Sequence, residues 1–235
     1  GGMFGFWCCV ETESPDSKAV AVEVFQAHDR FLQEQLPVAC LGHSEQRPDS
    51  AGRATSSSSR IVVEFDRGVS GVLGLEIDST EPEVCLIKAV LLHGLVASWN
   101  SSCGSDKEAV KPMDRIVSVN GETGLVGDLL ALMAQSQVIR LVLDRPKAKN
   151  LIIQKNGLQL GLKLELNDKS VGLAIKGVFG GIAAGMNLSM ELDQQLKAGD
   201  RIVEIDGSSR SSIELLEQLK SFDQFTLKVL YWDIH

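Results

Sequence analysis

The chain has 235 residues, a formal net charge of −8 and a hydrophobic fraction of 44%. Acidic residues equal or outnumber basic residues in each of the segments 1–59, 60–145 and 146–235, which excludes the basic surface of a nucleic-acid-binding protein. No apolar run reaches the length of a membrane span, about 18 residues. The five cysteines are irregularly spaced, which disfavours a disulfide framework or a zinc site and indicates a reducing, cytoplasmic environment.

Residues 1–59 are predicted to form an N-terminal tip followed by a helix and a linker. Apolar side chains recur at helical spacing from Lys18 to Leu36, which predicts a helix over 18–36 that ends before Pro37. The segment 42–59 is rich in glycine, proline and serine and is typical of a flexible linker.

The N-terminal tip contains two adjacent cysteines, Cys8 and Cys9, directly after aromatic residues. Adjacent thiols at such a position suit S-acylation, and two acyl chains anchor a protein stably where one does not. The pattern predicts peripheral membrane attachment through palmitoylation. The alternatives are a disordered tip and a hydrophobic tip that packs against a partner protein.

Two sequence markers occur twice at nearly the same spacing. Residues 112–121, PMDRIVSVNG, return as residues 198–207, AGDRIVEIDG, and the tetrapeptide VLGL at 72–75 returns as QLGL at 159–162. The spacing of about 86–87 residues is longer than a solenoid repeat, which has about 20–50 residues. It therefore indicates a tandem repeat of one small domain. The domains are placed at 60–145 and 149–231.

Each copy has the same predicted order of strands and helices. The first copy is predicted as strands 60–65, 75–78, 84–90, 115–119 and 138–143, with helices 93–100 and 125–133. The second is predicted as strands 151–154, 162–166, 172–178, 201–205 and 225–231, with helices 182–187 and 212–219. The fold class is therefore mainly β with helices (α+β).

This order and the two markers resemble the PDZ family over residues 60–145 and 149–231. The resemblance implies two partly open β-barrels or sandwiches, each capped by two helices, that bind C-terminal peptides by strand addition. The segments 180–185 and 196–207 of the second copy are the nearest to the family pattern. Met113 occupies the place of the usual glycine, so we expect a distorted turn in the first copy.

The repeated Leu-Gly-Leu loops are the predicted carboxylate sites. A glycine at the entry to a strand lets successive backbone N–H groups converge on an anion such as a terminal carboxylate. An extended peptide can then pair with the free edge of the strand that follows. The loop residues are Leu73, Gly74 and Leu75 in the first copy and Leu160, Gly161 and Leu162 in the second.

The resemblance also implies the groove walls and a basic residue that helps to hold the carboxylate. The wall residues are Ile77, Val126 and Leu130 in the first copy and Leu164, Ser212 and Leu216 in the second. Arg67 and Lys155 are the predicted carboxylate-assisting bases. Val126 at the first groove-facing helix position predicts a preference for a hydrophobic residue at the third-from-last ligand position and for a hydrophobic ligand terminus.

The sequence predicts a binding protein without catalytic, metal-binding or cofactor residues. No serine lies in a Gly-x-Ser-x-Gly elbow, and Gly180-Gly181 is not followed by the Lys-Ser/Thr of a phosphate loop. The predicted function is an adaptor for C-terminal tails of proteins. The alternatives are a structural subunit or tether with blocked grooves, and an accessory to an enzyme.

Overall fold

The computed structural model describes residues 20–23, 60–68 and 71–233. Strand β1 (Val20–Glu23) comes first. The first module then consists of β2 (Arg60–Asp66), β3 (Leu75–Asp78), β4 (Cys85–Val90), α1 (Leu95–Ser102), β5 (Arg115–Val119), α2 (Val126–Gln135) and β6 (Val138–Asp144). The second consists of β7 (Lys147–Gln154), β8 (Leu162–Leu166), β9 (Leu173–Val178), α3 (Gly181–Leu188), β10 (Arg201–Ile205), α4 (Ser212–Ser221) and β11 (Gln224–Tyr231).

Each module contains one open antiparallel sheet of five strands. The strand order is β2-β6-β5-β4-β3 in the first module and β8-β9-β10-β11-β7 in the second, with β1 added next to β8. Neither sheet closes into a barrel, and two helices accompany each sheet. The predicted α+β class with two similar modules is confirmed.

The core of the first module forms where alternating strand residues meet a helical stripe. In β6, Ile139, Leu141 and Leu143 are fully buried, while the residues between them are more exposed. Helix α2 contributes Val126, Leu129 and Met133, whose spacing places them on one face. The second module repeats this arrangement. Its β11 buries Phe225, Leu227 and Val229, and its α4 buries Leu215, Leu216 and Leu219.

The turn before the Asp-Arg-Ile strand has the same conformation in both modules. Met113 adopts φ +73°, close to the +91° of Gly199, and its N–H donates to Ile87 as that of Gly199 donates to Ile175, at 2.8 and 2.9 Å. The expected distortion at Met113 is therefore wrong. The side chain of Met113 packs into an apolar cluster between the modules, which compensates for a left-handed backbone in a residue other than glycine.

The two modules pack directly against each other. Leu86 of the first module joins Leu230 and Trp232 of the second in a small buried cluster. The guanidinium of Arg115 lies 3.4 Å from the centroid of the Trp232 ring and donates a 2.6 Å hydrogen bond to the Gly199 carbonyl. Burial, assisted by the charge of Arg201, lowers the pKa of Arg115 to about 10, so it stays charged at neutral pH.

The N-terminal segment differs from its prediction in the part that the structure describes. Residues 20–23 form a strand, not the start of a helix over 18–36. The apolar residues at 20, 22 and 24 also recur at every second position, which is typical of a strand. Hydrogen bonding to β8 stabilises this segment as a strand. The rest of the predicted helix and the linker 42–59 lie outside the described residues.

Candidate functional site

The Leu73-Gly74-Leu75 loop is held by backbone hydrogen bonds to the segment that begins α1. The bonds run from Leu95 N–H to Val72 O (2.9 Å), from Val96 N–H to Leu73 O (3.0 Å) and from Leu91 N–H to Gly74 O (2.9 Å). In a trans peptide the N–H points opposite to the carbonyl of the preceding residue. The N–H groups of Leu73, Gly74 and Leu75 therefore point away from Leu95, Val96 and Leu91 respectively, an orientation that the predicted anion nest requires.

The second module repeats this loop bond for bond. The donors and acceptors are Ile182 N–H and Gln159 O (3.0 Å), Ala183 N–H and Leu160 O (3.0 Å), and Phe179 N–H and Gly161 O (2.9 Å). The N–H groups of Leu160, Gly161 and Leu162 consequently also face away from the helix. Both Leu-Gly-Leu loops thus share one backbone hydrogen-bond pattern.

Both loop glycines are required by close backbone contact. Gly74 has φ +76°, and a Cβ built on it would lie 2.4 Å from the carbonyl oxygen of His93. Gly161 has φ +78°, and a Cβ there would lie 1.9 Å from the carbonyl oxygen of Gly180. No side chain fits at such distances, so the loops are shaped by the absence of a side chain.

The edge of β3 begins at the loop. Leu75 lies opposite Val90, and the bond from Leu91 N–H to Gly74 O lies next to this pair. In an antiparallel ladder, hydrogen-bonded and non-hydrogen-bonded pairs alternate, so Leu75 and Val90 form a non-hydrogen-bonded pair. The peptide groups of Leu75 accordingly face away from β4.

Ile77 continues this open edge. Its partner Ile87 donates its N–H to the Asp114 carbonyl at 2.9 Å, on the side of β4 opposite to β3. Ile77 therefore also directs its N–H and carbonyl away from β4. Within the part of the chain that the structure describes, β3 pairs with β4 alone. Among the described residues, the outer edge of β3 thus has no strand partner, and this edge begins at the Leu73-Gly74-Leu75 loop.

The wall of the first groove differs in one position from its prediction. Leu73, Ile77 and Leu130 are all half-buried and pack on the edge of the core, as groove residues do. Val126 instead lies inside the core at 3% exposure, and its N–H donates to the Pro82 carbonyl at 2.8 Å. Leu73, Ile77 and Leu130 are therefore the predicted apolar site residues of the first module that remain partly accessible.

The second groove is occupied along its edge. Strand β1 pairs antiparallel with β8, with Val20 opposite Leu166 and Glu23 opposite Lys163. This is the edge that corresponds to β3 in the first module. Leu164 and Leu216 of the predicted wall are buried in the core, with 0% and 4% exposure.

Ser212 has a structural role, different from its predicted place on the groove wall. Its side chain is fully buried, and its hydroxyl lies 2.8 Å from the carbonyl of Gly172 and 3.0 Å from that of Ser170. The hydroxyl therefore anchors the start of α4 to the loop before β9. The prediction missed this because it assumed that the first helix residue faces the ligand.

Arg67 and Lys155 occupy equivalent positions and cap helices. The guanidinium of Arg67 donates to the carbonyls of Ala134, at 2.6 Å, and Met133 at the end of α2. The ammonium of Lys155 donates to carbonyls at the end of α4, including that of Leu219. Burial lowers the pKa of Lys155, and Asp223 opposes this effect. Both cations neutralise helix C-termini, a role different from the predicted one at the ligand carboxylate.

A buried polar network joins the end of β3 to the second module. Arg201 is 1% exposed and contacts Asp78 (3.2 Å), Glu81 and the hydroxyl of Ser170 (2.6 Å). Lys176 pairs with Glu81 from the other side. Arg201 is therefore buried between the modules and does not lie on the surface. Asp200 itself is paired with the buried ammonium of Lys149 at 2.9 Å.

The described residues contain no group of three or more His, Cys, Asp or Glu side chains that could hold a metal ion. Cys85 is buried, and burial raises the pKa of its thiol to about 12, so it is protonated at neutral pH. Among the described helices, none is long and apolar enough to cross a bilayer. Cys8 and Cys9 lie outside the described residues.

No family model and no curated protein matches the chain. Among solved structures, the chain is similar to one titled "Complex structure of INAD PDZ45 and NORPA CC-PBM". The sequence identity is 17%, the alignment covers 78% of this chain and 97% of that chain, and the TM-score is 0.32. A likeness at this score assigns neither ligand nor function.

Proposed function

We propose that the chain is a non-enzymatic adaptor whose first module binds C-terminal peptides of partner proteins. One observation supports the proposal: the edge strand β3 has no second strand partner among the described residues, and it starts at a loop whose carbonyls are bound on the opposite side by Leu95, Val96 and Leu91. In the second module the equivalent edge of β8 carries an added antiparallel strand. Edges of this geometry therefore accept an extended segment.

The ligand chemistry follows from the groups in the first groove. The N–H groups of Leu73, Gly74 and Leu75 bind the terminal carboxylate, and Leu75 and Ile77 pair with the ligand backbone. Leu73, Ile77 and Leu130 form an apolar surface, so a hydrophobic terminus and a hydrophobic third-from-last residue are preferred. A short groove of this kind supports a dissociation constant of about micromolar order, which corresponds to a binding free energy of about −8 kcal/mol.

A second candidate function is a structural subunit or tether whose grooves are blocked. The strand β1 on β8 favours it for the second module, because the edge that a ligand needs is already paired. The two modules also share a buried interface, which suits a rigid structural unit. The candidates differ in the first module alone, where a tether would bind no free peptide terminus.

The proposal includes attachment of the adaptor to a cytoplasmic membrane surface through acylated Cys8 and Cys9. Replacing both cysteines by serine is expected to release the protein from membranes into the soluble fraction of a cell lysate. An unchanged distribution between the fractions removes this part of the proposal and leaves the peptide-binding part intact.

Peptide binding is tested with pairs of peptides that differ only at the C-terminus, which is a free carboxylate in one member and an amide in the other. A fluorescent peptide with a hydrophobic C-terminus is expected to bind at least about tenfold more tightly as the free acid than as the amide, because the amide loses the charge held by the nest. Equal binding of acid and amide, or no binding of any member of a C-terminal peptide library, contradicts the adaptor function and supports the tether.

Matched variants on α2 locate the binding surface. Leu130 and Leu132 are both half-buried, but they lie on different faces of α2. Leu130→Ser is expected to weaken peptide binding about tenfold, whereas Leu132→Ser removes a similar apolar area and leaves the affinity unchanged. Titration by fluorescence anisotropy measures both, and equal effects would place the ligand elsewhere.

A further inference from the structure

The pairing of β1 with β8 shows the mode in which the second module binds a strand. Val22 lies opposite Leu164, and Leu164 lies opposite Ile175 on its other side. Ile175 donates its N–H to the Asp200 carbonyl at 2.8 Å, away from β8. Leu164 and Ile175 therefore form a non-hydrogen-bonded pair, and the peptide groups of Leu164 face Val22.

The alternation of the ladder assigns the donors on β1. Val20 and Val22 lie opposite Leu166 and Leu164, so their N–H groups point to β8. The N–H groups of Ala21 and Glu23, in the intervening pairs, point to the outer side of β1. The added strand is thus held through every second residue.

The direction of β1 distinguishes its mode of binding from capture of a chain end. Residue numbers on β1 rise toward the Leu160-Gly161-Leu162 loop, the direction in which a C-terminal ligand would run. However, Glu23 lies opposite Lys163 and is followed in the sequence by Val24, so the chain does not end at this edge. The occupant of this edge is an internal segment and supplies no terminal carboxylate.

From these contacts, we propose that residues 20–23 are an intramolecular ligand of the second module, which recognises internal extended segments and is closed in the free protein. Covalent connection makes the pairing intramolecular, with an effective concentration of about millimolar order. A competing segment binds only when β1 leaves, so its apparent affinity falls by the fraction of open molecules. This inference does not depend on peptide binding by the first module.

Proline variants of the full chain test the pairing. Val22→Pro removes an N–H that donates to β8, whereas Ala21→Pro removes an N–H that points outward and serves as the matched control. Val20→Pro is the second disruptive variant. Amide hydrogen exchange of Leu164 and Leu166, measured by NMR, is expected to accelerate at least about tenfold in Val22→Pro and Val20→Pro and to stay unchanged in Ala21→Pro.

The exposed edge is then probed with a synthetic peptide of residues 18–26, acetylated at the N-terminus and amidated at the C-terminus. We expect it to bind Val22→Pro at least about tenfold more tightly than the unaltered chain or Ala21→Pro. Because the peptide has no terminal carboxylate, its binding is distinct from that of acid-dependent ligands at the first module.

Three results would overturn the inference. The first is exchange of the Leu164 amide at the same rate in Val22→Pro and the unaltered chain. The second is binding of the peptide with equal affinity to all variants, or to none. The third is protection of Leu164 that rises with protein concentration, which would assign the strand to a second copy of the chain.

Discussion

The Arg201 guanidinium of the second module lies 3.2 Å from the Asp78 carboxylate, at the last residue of the edge strand β3 of the first. Asp78 also accepts hydrogen bonds from Ser170 (2.7 Å) and Thr80 (2.6 Å). Both partners are nearly inaccessible to water. A buried ion pair therefore links the C-terminal end of β3 to the second module.

Removal of Arg201 is expected to uncouple the modules. Arg201→Ala removes the cationic partner of the buried Asp78 and leaves Glu81 paired with Lys176 alone, which costs about 3–5 kcal/mol of unfolding free energy. Calorimetry should show two transitions in place of one cooperative transition. The control is Arg210→Ala, because Arg210 forms an exposed pair with Glu214 at 3.8 Å and is expected to contribute under about 1 kcal/mol. Similar losses for both variants would contradict the role of the interface.

Asp78 should make the stability of the interface dependent on pH. Burial would raise its pKa, but hydrogen bonds from Thr80 and Ser170 and the charge of Arg201 outweigh burial and lower it. A lowered folded-state pKa stabilises the fold above the unfolded value, about 3.9, and this contribution is lost as the pH falls through the folded value.

The test compares the unaltered chain with Asp78→Asn in urea titrations at several pH values. The difference in unfolding free energy should be constant above about pH 5 and shrink as the pH falls below 4. Asp200 has a raised pKa because of burial and acts in the opposite direction, but it is present in both proteins and cancels in the comparison. A difference that grows toward acid would contradict the lowered pKa of Asp78.

Two glycines of the first module are expected to respond oppositely to a methyl group. Gly74→Ala places a Cβ 2.4 Å from the His93 carbonyl and strains a backbone at φ +76°, so peptide binding should be lost and stability reduced by more than about 1 kcal/mol. Gly127→Ala, in α2 with no atom within 4 Å of the new Cβ, should stabilise the protein by about 0.5–1 kcal/mol. Thermal unfolding and peptide titration measure both, and tolerance of Gly74→Ala would refute the close contact.

Ser212→Ala separates a structural role from a recognition role. The loss of hydrogen bonds to Gly172 and Ser170 should cost about 1 kcal/mol of unfolding free energy. Because the hydroxyl is fully buried, peptide selectivity of the second module should not change, even when residues 20–23 are displaced. A changed preference at any ligand position would return Ser212 to the groove wall.

The loops could be predicted because their requirement is local. A backbone that must adopt φ near +76° and approach a neighbouring carbonyl excludes side chains. The requirement therefore appears in the sequence as a glycine, at Gly74 and at Gly161. The wall positions were harder to predict from the sequence, because Val126 and Leu130 are both apolar. Only tertiary packing distinguishes the buried Val126 from the partly buried Leu130. Arg67 and Lys155 were correctly grouped as equivalents, but their partners, helix-end carbonyls, come from residues more than sixty positions away.

By itself, the sequence determined the repetition, the α+β class and the position of both Leu-Gly-Leu loops, because strand alternation, helical stripes and glycine turns are properties of short segments. Long-range pairing determined which of the two equivalent edge strands, β3 or β8, carries an added strand in the described part of the chain. The segment 20–23 is compatible with a helix or a strand in isolation, and pairing with the edge of β8 selects the strand. Tertiary contacts also converted Asp78 and Arg201 from apparent surface charges into a buried link between modules, since burial depends on residues distant in the chain.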